Sequence, residues 1–254
     1  MPSDHSGALE RVLSLLATPP AAPDTRDGYL DLLPPESTGR RSLAQALMLS
    51  TPVPAVYERW WRPALGQLAK GVFGPTMRGE RDIALDYLDL APGDTVLDIA
   101  CGPGNFTREF ARAVGERGLA IGLDVSPTML RRAVTDTDAD TVGYLRADAA
   151  DLPFADASLD AVCCFAALHL FDEPWTALDR IAVVVKPGGR LALMTTCARG
   201  PSPVRGVSGA LAGATGIRMF GVAELADALA ARGFAEVRQR LDGVVQFVGA
   251  VRRR

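Results

Sequence analysis

From residue 81 onward, short apolar runs of strand character alternate with segments of helical period, and that alternation admits few folds. A helix over 83–88 and the turn APGD lead into TVLDIA (95–100), a strand that ends in a glycine-containing turn. A helix over Asn105–Val114, a strand LAIGLDV (119–125) and a helix over 128–133 follow. TVGYLRAD (141–148), LDAVCCF (159–165) and GRLALMTT (189–196) are further strands, with a helix over 175–185 before the last. Parallel neighbours need a crossover, usually a helix, so the pattern predicts an α/β fold with helices on both sheet faces. A helix over 224–231 is followed by FAEVRQRL and GVVQFVGAV, joined at Asp242–Gly243 as a hairpin that adds an antiparallel pair.

The turn after the first strand, DIACGPGN, has the chemistry of a ligand loop. Gly102 and Gly104 let the backbone approach a bound group that a Cβ would push away. The helix that follows presents unpaired N–H groups to an anion. A dinucleotide fingerprint needs a third glycine three residues after the second, and Thr107 stands there. The next strand ends at Asp124, placed to hold the hydroxyls of an adenosine ribose. The competing reading makes Asp98 and Asp124 plain strand-end caps.

RADAADLPFADASLDAVCCFAALH (146–169) and KPGGRLAL (186–193) complete a series that resembles the class I S-adenosylmethionine-dependent methyltransferases, type 11, near the quinone and small-molecule C-methyltransferases. The resemblance covers roughly 81–197 closely and the rest more loosely. It implies a Rossmann-like, seven-stranded, mostly parallel sheet with an antiparallel last strand and an N-terminal helical cap. It implies S-adenosylmethionine as methyl donor, S-adenosylhomocysteine as product, and no metal. Carried onto this chain, it assigns Asp98, Ala100, Gly102 and Gly104 to the methionine and sulfonium end. Asp124 takes the ribose hydroxyls, Val125 and Met129 lie near the adenine, Asp148 and Ala149 contact its edge, and Phe165 closes the pocket behind the sulfonium.

A base is needed only when the acceptor must lose a proton, and histidine suits that task near neutral pH. The chain has two, His5 and His169, and His169 follows the fourth main strand at the edge where open α/β sheets bind ligands. It is the candidate catalytic residue and a candidate acceptor contact. A pocket-shaping histidine is the other reading. Tyr57, Trp60 and Trp61 form an aromatic cluster ahead of the core, either stacking on a flat acceptor or packing an appended helix bundle. The organisation expected is a cap over 1–80, with helices at 42–49 and 56–70, and a catalytic domain over 81–254. The latter carries a Gly- and Pro-rich insertion at 197–220 that is either a second lid element or a surface connection.

RDGYLDLLPPES (26–37) resembles the linker of ribosomal-RNA guanine methyltransferases, which follows a zinc module held by Cys pairs. No Cys precedes Cys101 in this chain, so a Cys-based zinc site of that kind cannot form. Unassigned plant and actinobacterial methyltransferases carry segments similar to STPVPAVYERWW. The net charge of -3 also lacks the basic excess of a dedicated nucleic-acid binder. A small, apolar or aromatic acceptor is therefore expected. An RNA base or a non-catalytic cofactor-binding module is the alternative. Four cysteines without zinc spacing, a poor signal-peptide pattern and no long apolar span point to a cytoplasmic monomer or homodimer away from membranes.

Overall fold

The computed structural model describes residues 6–34, 74–198 and 217–254. In chain order the main elements are α1 (Ser6–Ser14), β1 (Leu30–Asp31), α2 (Met77–Leu88), β2 (Thr95–Ile99), α3 (Asn105–Val114) and β3 (Leu119–Asp124). Then come α4 (Pro127–Thr135), β4 (Val142–Arg146), β5 (Leu159–Phe165), α5 (Pro174–Val184) and β6 (Val185–Ala198). β7 (Phe220–Gly221), α6 (Val222–Ala231), β8 (Phe234–Asp242) and β9 (Val245–Arg252) complete the fold.

Nine strands form one sheet among the described residues, in the order β1-β4-β3-β2-β5-β6-β9-β8, with β7 paired to β6. β1 to β6 pair in parallel, and β9 runs antiparallel between β6 and β8. The seven longer strands are those expected, and the two-residue β1 and β7 are additions. Strand alternation divides the core into two layers. Leu97, Ile99, Leu119, Ile121, Val162 and Leu191 point to one face, against α1, α5 and α6. Val96, Ala120, Tyr144, Ala161 and Ala192 point to the other, against α2, α3 and α4. Both faces are covered, which is why these strands are apolar at nearly every position.

α3 illustrates the local logic. It begins after Gly104 and stops at Gly115, both at positive φ, the second 66°. Phe106, Phe110, Ala111 and Val114 line its buried face, whereas Glu109 on the other side takes Arg81 at 2.7 Å. Burying each large apolar side chain stabilises the fold by about 1.5–3 kcal/mol.

Several boundaries differ from expectation. α2 starts six residues earlier than its periodicity predicts, because Thr76 caps it by accepting from the Gly79 amide at 3.3 Å. β6 starts at Val185 and runs through KPGG, with a register shift opposite Leu159–Ala161. In the hairpin Asp242 pairs with Val245, so the two turn residues are Gly243 and Val244. Residues 6–34, within the stretch expected as the N-terminal cap, pack on the sheet face and at its edge. α1 buries Ala8, Leu9 and Val12 in the first layer, and β1 pairs with β4 at the sheet edge. The expected helices at 42–49 and 56–70, with Tyr57, Trp60 and Trp61, lie outside the described residues. So does 199–216 of the insertion, whose return point Phe220 is fully buried beside Cys197.

Candidate active site

The chain runs β2, β3, β4 toward one edge, then crosses back so that β5 lies on the other side of β2. Such a reversal opens a crevice at the carboxyl ends of the two strands, the usual ligand position in open α/β sheets. The expected site residues in the described segments stand along this one edge. Ala100, Gly102 and Gly104 follow β2, with Asp98 just inside its end. Asp124 ends β3, with Val125 and Met129 beyond it. Asp148 and Ala149 follow β4, Phe165 ends β5, and His169 lies in a single 3-10 turn, Leu168–Leu170.

The glycine turn and Asp124 are joined directly. One Asp124 carboxylate oxygen accepts from the Gly102 amide at 2.9 Å, and the other from the Ser126 amide at 2.8 Å. Burial pushes the Asp124 pKa up, and the amides of Ser126, Gly102 and Val125 oppose that shift by bonding the charged form. Ala100 takes a positive φ of 57° to turn the chain out of β2. The first turn of α3 has no side-chain cap, since its N-cap is Gly104. Its leading amides therefore have no intrahelical partner.

Asp98 is buried, and its carboxylate accepts the Thr107 hydroxyl at 2.6 Å. Thr107 thus ties α3 to β2 at the position where a dinucleotide loop would carry glycine. On sequence grounds Thr107 registered only as a departure from a motif; a hydroxyl nine residues beyond a strand-end Asp was the available signal. Asp148 caps the 3-10 turn Ala149–Asp151 by accepting the Ala150 amide at 2.9 Å, and Ala149 is buried beside it. Phe165 packs on Phe106 of α3 at 5.5 Å and on Phe247 of β9 at 5.9 Å, within the second core layer.

His169 sits opposite the end of β6. Its Nδ1 lies 3.4 Å from the Thr195 hydroxyl, and its carbonyl accepts from the Arg218 amide at 2.9 Å. Burial alone lowers its pKa to about 4, so the imidazole is neutral near pH 7. Because the folded pKa lies below the unfolded value of 6.5, the unfolded chain binds the extra proton between the two. Stability from this group is complete above pH 6.5 and is lost as pH falls toward 4. The loss amounts to about 3 kcal/mol at most. Urea titrations should show wild-type stability declining across that window more steeply than His169→Gln. Parallel profiles would remove this assignment.

Thr195 and Arg218 escaped the sequence reading, since both lie far from His169 in the chain. A cavity of 310 Å³ beside Tyr87, Arg190 and Arg238 lies at the other edge of the sheet, among residues unconnected with the glycine turn.

A model of the methyltransferase domain family matches residues 97–193, the segment that contains the glycine turn, Asp124 and His169. Residues 97–193 thus carry a methyltransferase domain, of the class I S-adenosylmethionine-dependent type. An uncharacterized chloroplastic methyltransferase of Arabidopsis thaliana is 34% identical over 176 residues, 65% of this chain and 49% of that protein. The demethylmenaquinone methyltransferase of Bacillus licheniformis is 35% identical over 117 residues, 46% of this chain and 50% of that protein. The chain thus spans about half the length of the curated relatives it matches. Among solved structures, a putative methyltransferase from Haloferax volcanii, in complex with the Trm112 activator, superposes with a TM-score of 0.61 at 22% identity. That likeness covers 85% of this chain and all of the other, and it concerns the fold. Among the described residues, no helix is long and apolar enough to cross a membrane.

Proposed function

We propose that this methyltransferase moves a methyl group from S-adenosylmethionine to a small apolar or aromatic molecule, quinone-like or of natural-product type. The observation that carries this reading is the Gly102–Asp124 junction at the switch crevice. A carboxylate has about four lone-pair sites. Asp124 keeps acceptor capacity beyond the backbone amides it holds, which suits ribose hydroxyls. The uncapped start of α3, with Gly102 and Gly104, suits the carboxylate of the amino-acid end. Asp98 and Ala100 shape that end, Val125 and Met129 cover one side of the adenine, and Asp148 and Ala149 meet its edge. Phe165 closes the pocket behind the sulfonium.

When bound, S-adenosylmethionine supplies an electrophilic methyl open to in-line displacement. The chain's own work is positioning and exclusion of water. His169, neutral and beside Thr195, accepts a proton from the acceptor as the new bond forms. The proton such a base would take is the hydroxyl proton of a phenol or hydroquinone, the most acidic one those acceptors carry. The aromatic rings of Tyr57, Trp60 and Trp61 suit stacking on a flat acceptor. Likeness to the demethylmenaquinone methyltransferase supports this class of acceptor. Four buried cysteines without disulfides suit a reducing, cytoplasmic setting.

Native mass spectrometry should find S-adenosylhomocysteine bound to the purified protein, and labelled methyl should pass to members of a hydroquinone and phenol panel. No cofactor in the spectrum and no heat with added S-adenosylhomocysteine would overturn the reading. His169→Gln should bind the cofactor normally while turnover falls by roughly a hundredfold or more. Wild-type turnover should stay level between about pH 6 and 8, because the base stays neutral there. Unchanged turnover in His169→Gln would leave His169 a pocket-shaping residue.

A further inference from the structure

Arg146 is a charged residue in an otherwise apolar strand, 9% exposed, at the end of β4. A buried guanidinium has to be matched by acceptors, and the partners it has found are informative. One η-nitrogen donates to both carboxylate oxygens of Asp31, at 3.1 and 3.0 Å, across 115 residues of chain. The ε-nitrogen donates to the Val125 carbonyl at 3.2 Å. Asp31 is in β1, where it pairs in register with Arg146, and it also accepts from the Leu33 amide at 3.0 Å. The side chains of the pair are only 11% and 24% exposed, so water screens them little.

Val125 sits between Asp124, whose carboxylate holds the glycine turn, and Ser126, which caps α4 through the Met129 amide at 3.4 Å. Its side chain is exposed at the carboxyl edge of the sheet, on the face assigned to the adenine. We infer that Asp31 and Arg146 are a positioning pair for the adenine side of the cofactor site, through which the N-terminal strand sets the Val125–Met129 wall. The inference rests on the cofactor placement proposed above. The guanidinium is suited to the task because its fork serves two acceptors in fixed geometry, which an ammonium cannot do. The segment before β1 also meets α4 through an exposed ion pair, Arg131 to Asp27 at 3.2 Å.

The test is calorimetry with S-adenosylhomocysteine and with 5′-methylthioadenosine, which lacks the amino-acid end. Wild type, Asp31→Asn, Arg146→Lys, Arg146→Met and the Asp31→Asn/Arg146→Met double variant are compared. Each single variant should bind both ligands about tenfold more weakly, as expected when a positioning contact is lost. The double variant should bind no worse than Arg146→Met alone, because both changes break one connection. In steady state, KM for the methyl donor should rise with kcat and the acceptor KM unchanged, a split that general destabilisation would not give. Wild-type affinity in folded Asp31→Asn and Arg146→Lys would overturn the inference, as would additive losses or a loss confined to S-adenosylhomocysteine. A wild-type protein that binds neither ligand would instead overturn the cofactor placement and the inference with it.

Discussion

Asp124→Ala should lose S-adenosylhomocysteine binding by a factor of about 10² or more, since two ribose hydroxyls would bond the carboxylate. Hydrogen bonds to a charged group contribute about 1.5–3 kcal/mol each, and two at the lower end correspond to roughly two decades of affinity. The substitution also frees the Gly102 and Ser126 amides, which Asp124 now holds at 2.9 and 2.8 Å, so the glycine turn keeps the Cys101 amide bond to Leu123 but loses its side-chain tie to β3. Asp124→Asn separates these effects. It keeps the shape, but its NH₂ must face one of the two amides, setting donor against donor. Asn should therefore fall between wild type and Ala. Calorimetry decides it, and equal affinity in wild type and Asp124→Ala would show that the ribose is held elsewhere.

Gly104→Val should be strongly destabilising. At φ 76° Gly104 occupies the left-handed region, where a β-branched residue is strained by about 1–3 kcal/mol. A Cβ there would also overlap the Tyr144 hydroxyl, which is held by Thr137 at 2.8 Å beneath the turn. Overpacking of that kind adds about 1–3 kcal/mol. Together the two penalties should lower the thermal midpoint by roughly 10 °C in a protein of this size. The shift of the α3 start should abolish the heat of S-adenosylhomocysteine binding as well. Gly93→Ala is the control, because Gly93 also has a positive φ, 101°, but a Cβ there meets nothing within 4 Å. It should show the strain alone, with binding intact. A Gly104→Val protein that melts and binds like Gly93→Ala would refute the close-packing account of the turn.

Much of the fold could be read before any coordinates because it is encoded locally. α3 and β5 have the boundaries that periodicity predicts, since glycines bracket the helix and an apolar run bounds the strand. The start of α2 was not legible. Its first turn is polar, and a threonine cap rather than an apolar period starts it. β1 was hidden for another reason. Two residues leave no period to detect, and Leu30–Asp31 become a strand only because β4 offers an edge.

The site divides along the same line. Gly102, Gly104 and Asp124 were identifiable because turn chemistry and strand ends are local properties, and the order of the strands brings them to one crevice. The sequence by itself determined the doubly covered parallel sheet and the resemblance of its central segment to methyltransferase domains. Only the tertiary structure decided that Thr107 holds Asp98, that Thr195 faces His169, and that Asp31 reaches Val125 through Arg146. Burial likewise sets the proton affinity of His169, from residues scattered along the chain. Such contacts depend on register and on the closure of long loops, which a period of two or 3.6 residues does not encode.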